Sequence, residues 1–239
     1  MNIKNKIDKI GVPLKDWDIQ INYGIKTGCN EAFIINNEKR EEILLNCLTE
    51  EERKITAEII RPILRGRDIE RYGYKWEDTW LINTHNGIKG KGKRVHVEDL
   101  PSIKAHLDQY LTKLSRRADK GDTPYNLRNC AYLEDFLKPK IVWPRLMRIS
   151  KTQDNTFPRF AYVEKEMFTV DSLCFFTGKD LELLCEVLNS DYAAYYFLKN
   201  VATLDSGGVQ MRQQYVEHIP IPPLEKGKNV FDAFCFTKE

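Results

Sequence analysis

A chain of 239 residues with 37 lysines and arginines against 35 aspartates and glutamates is close to neutral, at a formal +2. Its 42% apolar content suits a globular protein, and no window approaches the roughly 18 apolar residues of a membrane-crossing helix. The six cysteines include no C-x-x-C pair, which argues against a zinc site and for reduced thiols in the cytoplasm.

Near-neutrality hides segregation. Residues 38–58 hold seven carboxylates against four basic groups, whereas residues 113–151 hold ten basic groups against four acidic ones. Residues 61–75 and 89–94 are also positive. This permits one basic face on a neutral protein, and a face is what binds phosphate.

Residues 1–16 read as a linker or N-terminal arm. M-N-I-K-N-K-I-D-K-I lacks the apolar core of a signal peptide, and Gly11 and Pro13 break any helix. Residues 17–35 read as a hairpin: Ile19 and Ile21 alternate with Gln20 and Asn22, and Phe33, Ile34 and Ile35 return. Gly24, Gly28 and Asn30 tolerate the φ > 0 of a sharp reversal. Lys26, Thr27 and Asn30 would then sit on its turn.

Residues 37–47 and 49–60 read as helices, the second opened by the capping box Thr49-x-x-Glu52. Ile55, Ile59 and Ile60 would face the core, and Glu50, Glu51 and Glu52 the solvent. Pro62 should end this helix, leaving Arg61, Arg65, Arg67 and Arg71 on a loop bent at Gly66. Guanidinium forks in that setting suit phosphate or guanine edges. Residues 79–83 read as a strand and residues 86–93 as a flexible basic loop carrying Lys89 and Lys91.

The 3–4 spacing of Leu100, Ile103, Leu107, Tyr110, Leu111 and Leu114 predicts a helix over 99–114, capped by Asp99 with Pro101 in its first turn. Residues 115–129 are polar and basic, with Arg116, Arg117, Lys120 and Arg128. Residues 138–148 read as a strand whose charges, Lys138, Lys140, Arg145 and Arg148, surround Trp143; basic-aromatic interleaving is a nucleic-acid signature. Strands are expected at 159–163 and 168–177, and a helix over 179–199. A glycine loop then leads to Gln210, Arg212 and Gln213, side-chain types that read adenine and guanine. The I-P-I-P-P-L stretch at 219–224 closes as an extended strand. Helices and strands mix without a βαβ repeat. The expected fold is α+β, a mixed, largely antiparallel twisted sheet flanked by helices.

Nucleophile elbows, zinc-protease and dinucleotide motifs are all missing. His85, His96, His106 and His218 have no metal-ligand spacing, and no metal site is expected. The only E-x-K is Glu52-Arg53-Lys54, the basis of a rival reading as a metal-dependent nuclease using Glu52 and Lys54.

With these residues assembled, the chain resembles the TaqI-like C-terminal specificity domain, the target-recognition domain of type II restriction–modification enzymes and adenine-specific DNA methyltransferases. The landmarks run in order: G-I-x-T-G-x-N-x-x-F-I at 24–34, R-P-I-L-R-G-R-D-I at 61–69 and R-x-D-K-G-x-x-P-Y-x-L-R at 117–128. K-P-K-I-V-W at 138–143, V-L-N-S at 187–190 and I-P-I-P at 219–222 follow. The resemblance implies a DNA target-recognition domain over residues 17–224 with a tail at 225–239. It implies double-stranded DNA as partner, together with a methyltransferase domain or subunit. It also implies a parent enzyme using S-adenosylmethionine, and magnesium if a nuclease is fused. No cofactor is expected in this chain, which lacks the Asn-Pro-Pro-Tyr and glycine-rich cofactor motifs. A stand-alone specificity subunit acting through protein interaction is the other alternative. Phosphate contacts are expected from Arg116, Arg117, Lys120, Lys140, Arg145 and Arg148. Base edges are expected to meet Lys26, Thr27, Asn30, the turn at residues 65–67, and Gln210 through Gln213.

Overall fold

The computed structural model describes residues 11–88, 92–149, 157–204 and 207–222. In chain order the strands are β1 (Val12–Pro13), β2 (Ile19–Tyr23), β3 (Ile34–Ile35), β4 (Ile60–Leu64), β5 (Trp80–Ile82) and β6 (Lys140–Pro144). They continue as β7 (Met147–Arg148), β8 (Ala161–Val163), β9 (Phe168–Thr169), β10 (Leu173–Gly178), β11 (Gly208–Val209) and β12 (Pro220–Ile221). The principal helices are Asn37–Leu45, Glu50–Ile59, Pro101–Asp108, Leu111–Arg116, Leu181–Leu188 and Asp191–Asn200. The fold is α+β, as the mixed pattern of elements implied.

A four-stranded antiparallel sheet, ordered β2-β10-β6-β8, is the centre of the molecule. β6 (K-I-V-W-P) and β10 (L-C-F-F-T-G) are apolar at nearly every position, the pattern of strands covered on both faces. Their side chains alternate between two cores. Val142, Leu173 and Phe175 enter one, and Ile141, Trp143, Cys174 and Phe176 enter the other. Each such large buried side chain contributes about 1.5–3 kcal/mol by leaving water. The second four-stranded sheet, β3-β5-β4-β9, with β4 and β9 parallel, packs into the first core together with Ile103 and Leu107 of helix Pro101–Asp108. Helices Leu181–Leu188 and Asp191–Asn200 fill the second core through Leu184, Val187, Leu188 and Phe197. The short ladder β1-β12 ties Val12 to Ile221 and Pro13 to Pro220.

Several elements depart from the sequence pattern. The expected hairpin over 17–35 does not form: β2 pairs with β10, and β3 pairs with β5 in the other sheet. Between them Gly24 passes so close to the backbone of Val170 that no side chain fits, Ile25 bridges Val170, and Asn30–Phe33 makes a helical turn. Pro62 lies inside β4, opposite Trp80, so Arg61 sits on a strand. Asp99 does not cap a helix; it ends a 3-10 turn, and Leu100 precedes Pro101. The 99–114 and 179–199 helices are each two helices. The second pair breaks at Ser190, whose hydroxyl accepts from Ala193 N–H. Ile55 is exposed, and Thr56 is buried in its place.

Candidate nucleic-acid interface

Five separate segments meet at one groove of about 640 Å³. The exit of β2 supplies Tyr23 and Lys26, and the segment after Leu127 supplies Arg128 and Tyr132. The end of β6 leads to Arg145, the turn before β10 gives Asp171, and the C-terminal loop brings Arg212 and Gln214. Four cations therefore line it against one lining carboxylate, Asp171. Cys130 and Ala131 are shared with an adjoining recess of about 360 Å³. That recess in turn shares His85, Leu133 and Glu134 with a smaller one at Arg61 and Asn83. Burial in this region lowers the His85 pKa, which favours the neutral ring.

Each cation is held differently. Arg145 Nη1 donates to the Asp171 carbonyl at 2.9 Å, and its guanidinium lies 5.8 Å from the centre of the exposed Tyr23 ring. Burial raises the Tyr23 pKa, so the phenol stays neutral and able to donate. Lys26 and Arg128 converge on Asp119, at 2.8 and 3.3 Å. Their bonds, the one from Lys26 foremost, hold the Asp119 carboxyl below the ordinary aspartate value. Arg212 is exposed and makes no ion pair among the described residues.

Beneath this rim lies Arg117, almost fully buried. Its guanidinium donates to the carbonyls of Thr27, Asp119, Pro124 and Asn126 and lies 4.6 Å from the Phe33 ring centre. One side chain thereby fixes the Lys26 loop to the loop that carries Asp119 and Arg128. Gly28, at φ +67°, packs against Arg117 in a conformation suited to glycine.

This corrects several expectations. Arg117 cannot reach a phosphate, because its donors are turned inward. Lys140 is fully buried, and its amine donates to the carbonyls of Lys138 and Lys165. It starts a strand covered on both faces, and burial pushes its pKa down to about 8. Thr27 is buried as well: its hydroxyl donates to Asn30 Oδ1 and accepts from Cys29 N–H, shaping the loop rather than facing solvent. Asn30 is exposed, but that carbonyl oxygen is engaged. Glu52 is buried too, not solvent-facing. Its carboxylate accepts from the amides of Leu48 and Ser102, a structural staple in place of the second half of the capping box. A metal-binding role with the exposed Lys54 has no free carboxylate to use. Among the described residues no group of three His, Cys, Asp or Glu is placed to hold a metal ion.

The arginine cluster at 61–71 splits. Arg61 pairs with Glu166 at 2.9 Å, and Arg65 pairs with Asp68 and with Glu77. Arg67 is mostly exposed beside Glu77. Arg71 donates to the Asn189 carbonyl, and Asn189 itself clasps Phe160 N–H and C=O. Arg116, Lys120 and Arg148 are exposed, with Lys120 Nζ donating to the Ser115 carbonyl. Gln210 is half-buried, and Gln213 is engaged with Glu217 at 3.2 Å. Lys89 and Lys91 lie outside the described residues.

Sequence reasoning missed Tyr23, Tyr132, Asp171 and Gln214 in the groove, and Asp119 at its rim. Gln214 adjoins the chosen amides, and only the phase of the short helix Gln213–Val216 separates it from Gln213. The others come together through contacts distant in sequence and leave no local signal.

No helix among the described residues is long and apolar enough to cross a membrane. Against known proteins, residues 61–221 match the model of the TaqI-like C-terminal specificity domain. No curated protein matches the chain. Among solved structures it is similar to the type IIL restriction–modification enzyme MmeI in complex with DNA. That match has a TM-score of 0.61 and 11% identity, covering 86% of this chain and 25% of that one. It is also similar to the type IIG restriction endonuclease BpuSI, with a TM-score of 0.55 and 16% identity, covering 97% of this chain and 26% of that one. At these identities the likeness is one of fold. The chain spans about a quarter of the length of either.

Proposed function

The chain belongs to the TaqI-like C-terminal specificity domain family, and from that premise we propose that it recognises a short double-stranded DNA sequence. In this reading it directs an adenine-specific DNA methyltransferase, with or without a fused endonuclease, to its site. The observation that carries the reading is the convergence of Lys26, Arg128, Arg145 and Arg212 with Tyr23 and Gln214 on one groove. Cations of this kind hold phosphates and fix register, while amides and guanidinium forks read base edges. Gln214 and Arg212 are the candidate base readers of the groove. Lys26, Arg128 and Arg145 serve the backbone, with Arg116, Lys120 and Arg148 as further phosphate contacts on the surface. S-adenosylmethionine, and magnesium for a nuclease, belong to the parent enzyme in this scheme.

Selection from a random duplex library at near-physiological salt tests the proposal. A consensus of a few base pairs is expected. Gln214→Ala should relax one position at a cost of about 1–3 kcal/mol. Recovery of duplexes without a consensus, or no duplex binding at all, would refute it.

A further inference from the structure

The groove carries a feature that a simple phosphate-binding surface does not need. Two of its cations are already neutralised, and by a single residue from the neighbouring loop. Asp119 Oδ2 meets Lys26 Nζ at 2.8 Å, and Asp119 Oδ1 meets Arg128 Nη1 at 3.3 Å. Each oxygen serves one cation, as the two free oxygens of a phosphodiester would. Lys26 and Arg128 remain 51% and 59% exposed, so a ligand can reach both, whereas Asp119 is 23% exposed.

The carboxylate is held in place from behind. Arg117 donates to the backbone carbonyl of Asp119 and to that of Thr27, the neighbour of Lys26. It also holds the Asn126 carbonyl, two residues before Arg128. Arg117 therefore clamps the two loops through their backbone carbonyls. The Asp119 side chain is not part of this clamp, which leaves its pairing with Lys26 and Arg128 to be explained on its own.

Resting on the DNA-binding reading above, we propose that Asp119 is a built-in stand-in for a DNA phosphate. It occupies Lys26 and Arg128 in the free protein and yields them to the backbone when duplex binds. The exchange makes every duplex, of whatever sequence, compete with an internal anion. Asp119 thus acts as a brake on sequence-independent binding, on a surface whose net charge favours it. Arg212, in the same groove without an ion pair among the described residues, is outside the brake.

Binding of a random-sequence duplex by the whole chain across a salt series tests this. Asp119→Asn keeps the shape and the backbone clamp but removes the anion. It should tighten binding by about threefold to tenfold, the range expected from two exposed ion pairs. The log K versus log salt slope should steepen by about one. Lys26→Gln should weaken binding more in the Asp119→Asn background than in wild type, whereas Arg212→Gln should cost the same in both. NMR titration of the Asp119 carboxyl in the wild-type chain gives a readout without substitution: its pKa should rise when duplex is added.

Wild-type binding that Asp119→Asn leaves unchanged or weakens, with unaltered melting, refutes this inference alone, as does an Asp119 pKa indifferent to DNA. Absence of any salt-dependent duplex binding by the wild type refutes the proposed function, and the inference with it.

Discussion

The Arg117 guanidinium holds four carbonyls and no carboxylate. Truncating it would leave those acceptors in a buried setting without a donor, which is costlier than losing a surface charge. Arg117→Ala is expected to lose about 3 kcal/mol in urea unfolding, and Arg117→Lys, which lacks the planar fork, to recover only part of it. Lys140 is the second inward cation, and its consequence is a pH dependence. Its folded pKa of about 8 lies below the ordinary 10.5, so the unfolded chain binds more protons between those values. Stability from this group therefore rises with pH across that window, by on the order of 3 kcal/mol. Unfolding of wild type and Lys140→Met compared at pH 8 and pH 10.5 should show the difference shifting toward wild type. The role of Arg117 was not legible in the sequence. In R-R at 116–117 the two side chains look alike, and only the helix end and the loop beyond it turn one out and the other in. For Lys140 a partial signal existed: it opens K-I-V-W-P, a run apolar enough to be covered on both faces.

At the scale of elements, local signals were legible and long-range pairings were not. Thr49 accepts the Glu52 amide and Ser190 the Ala193 amide, as cap residues do. The expected hairpin does not form because β2 finds its partner about 150 residues later, in β10. Nothing near Tyr23 encodes that choice. The glycines did carry information, but of another kind than a turn. A Cβ on Gly24 would stand 1.9 Å from the Val170 carbonyl oxygen, whereas one on Gly66 meets nothing within 4 Å. Gly24→Ala is accordingly expected to cost more than about 3 kcal/mol, through forced movement of this segment away from the Val170 backbone. Gly66→Ala should stay within roughly 0.5 kcal/mol of wild type. Thermal melting of the two variants side by side checks the contrast.

For the molecule as a whole, the sequence carried the residue types that line the groove and not its address. Basic candidates lie in six stretches of the chain, yet only Lys26, Arg128, Arg145 and Arg212 share the groove, while Arg61, Arg65 and Arg67 face carboxylates elsewhere. Grouping them needed the sheet order, which residue type does not reveal. The grouping predicts unequal effects on salt dependence. Arg145→Gln should lower the slope for duplex binding by about one, and Arg67→Gln should change it less. A salt series on the two variants decides. The central sheet has a further consequence. Lys26 and Arg128 adjoin Ile25 and Leu127 of one core, whereas Arg212 adjoins Met211 of the other. The groove is a valley whose banks belong to different bedrock. Its width is then a property of residues that never meet solvent, such as Leu184 or Phe175, and the spacing of the facing cations inherits any change in their volume. Under the proposed DNA-recognition role, preference for one DNA shape over another can drift through the interior of this protein while every residue on its surface stays the same.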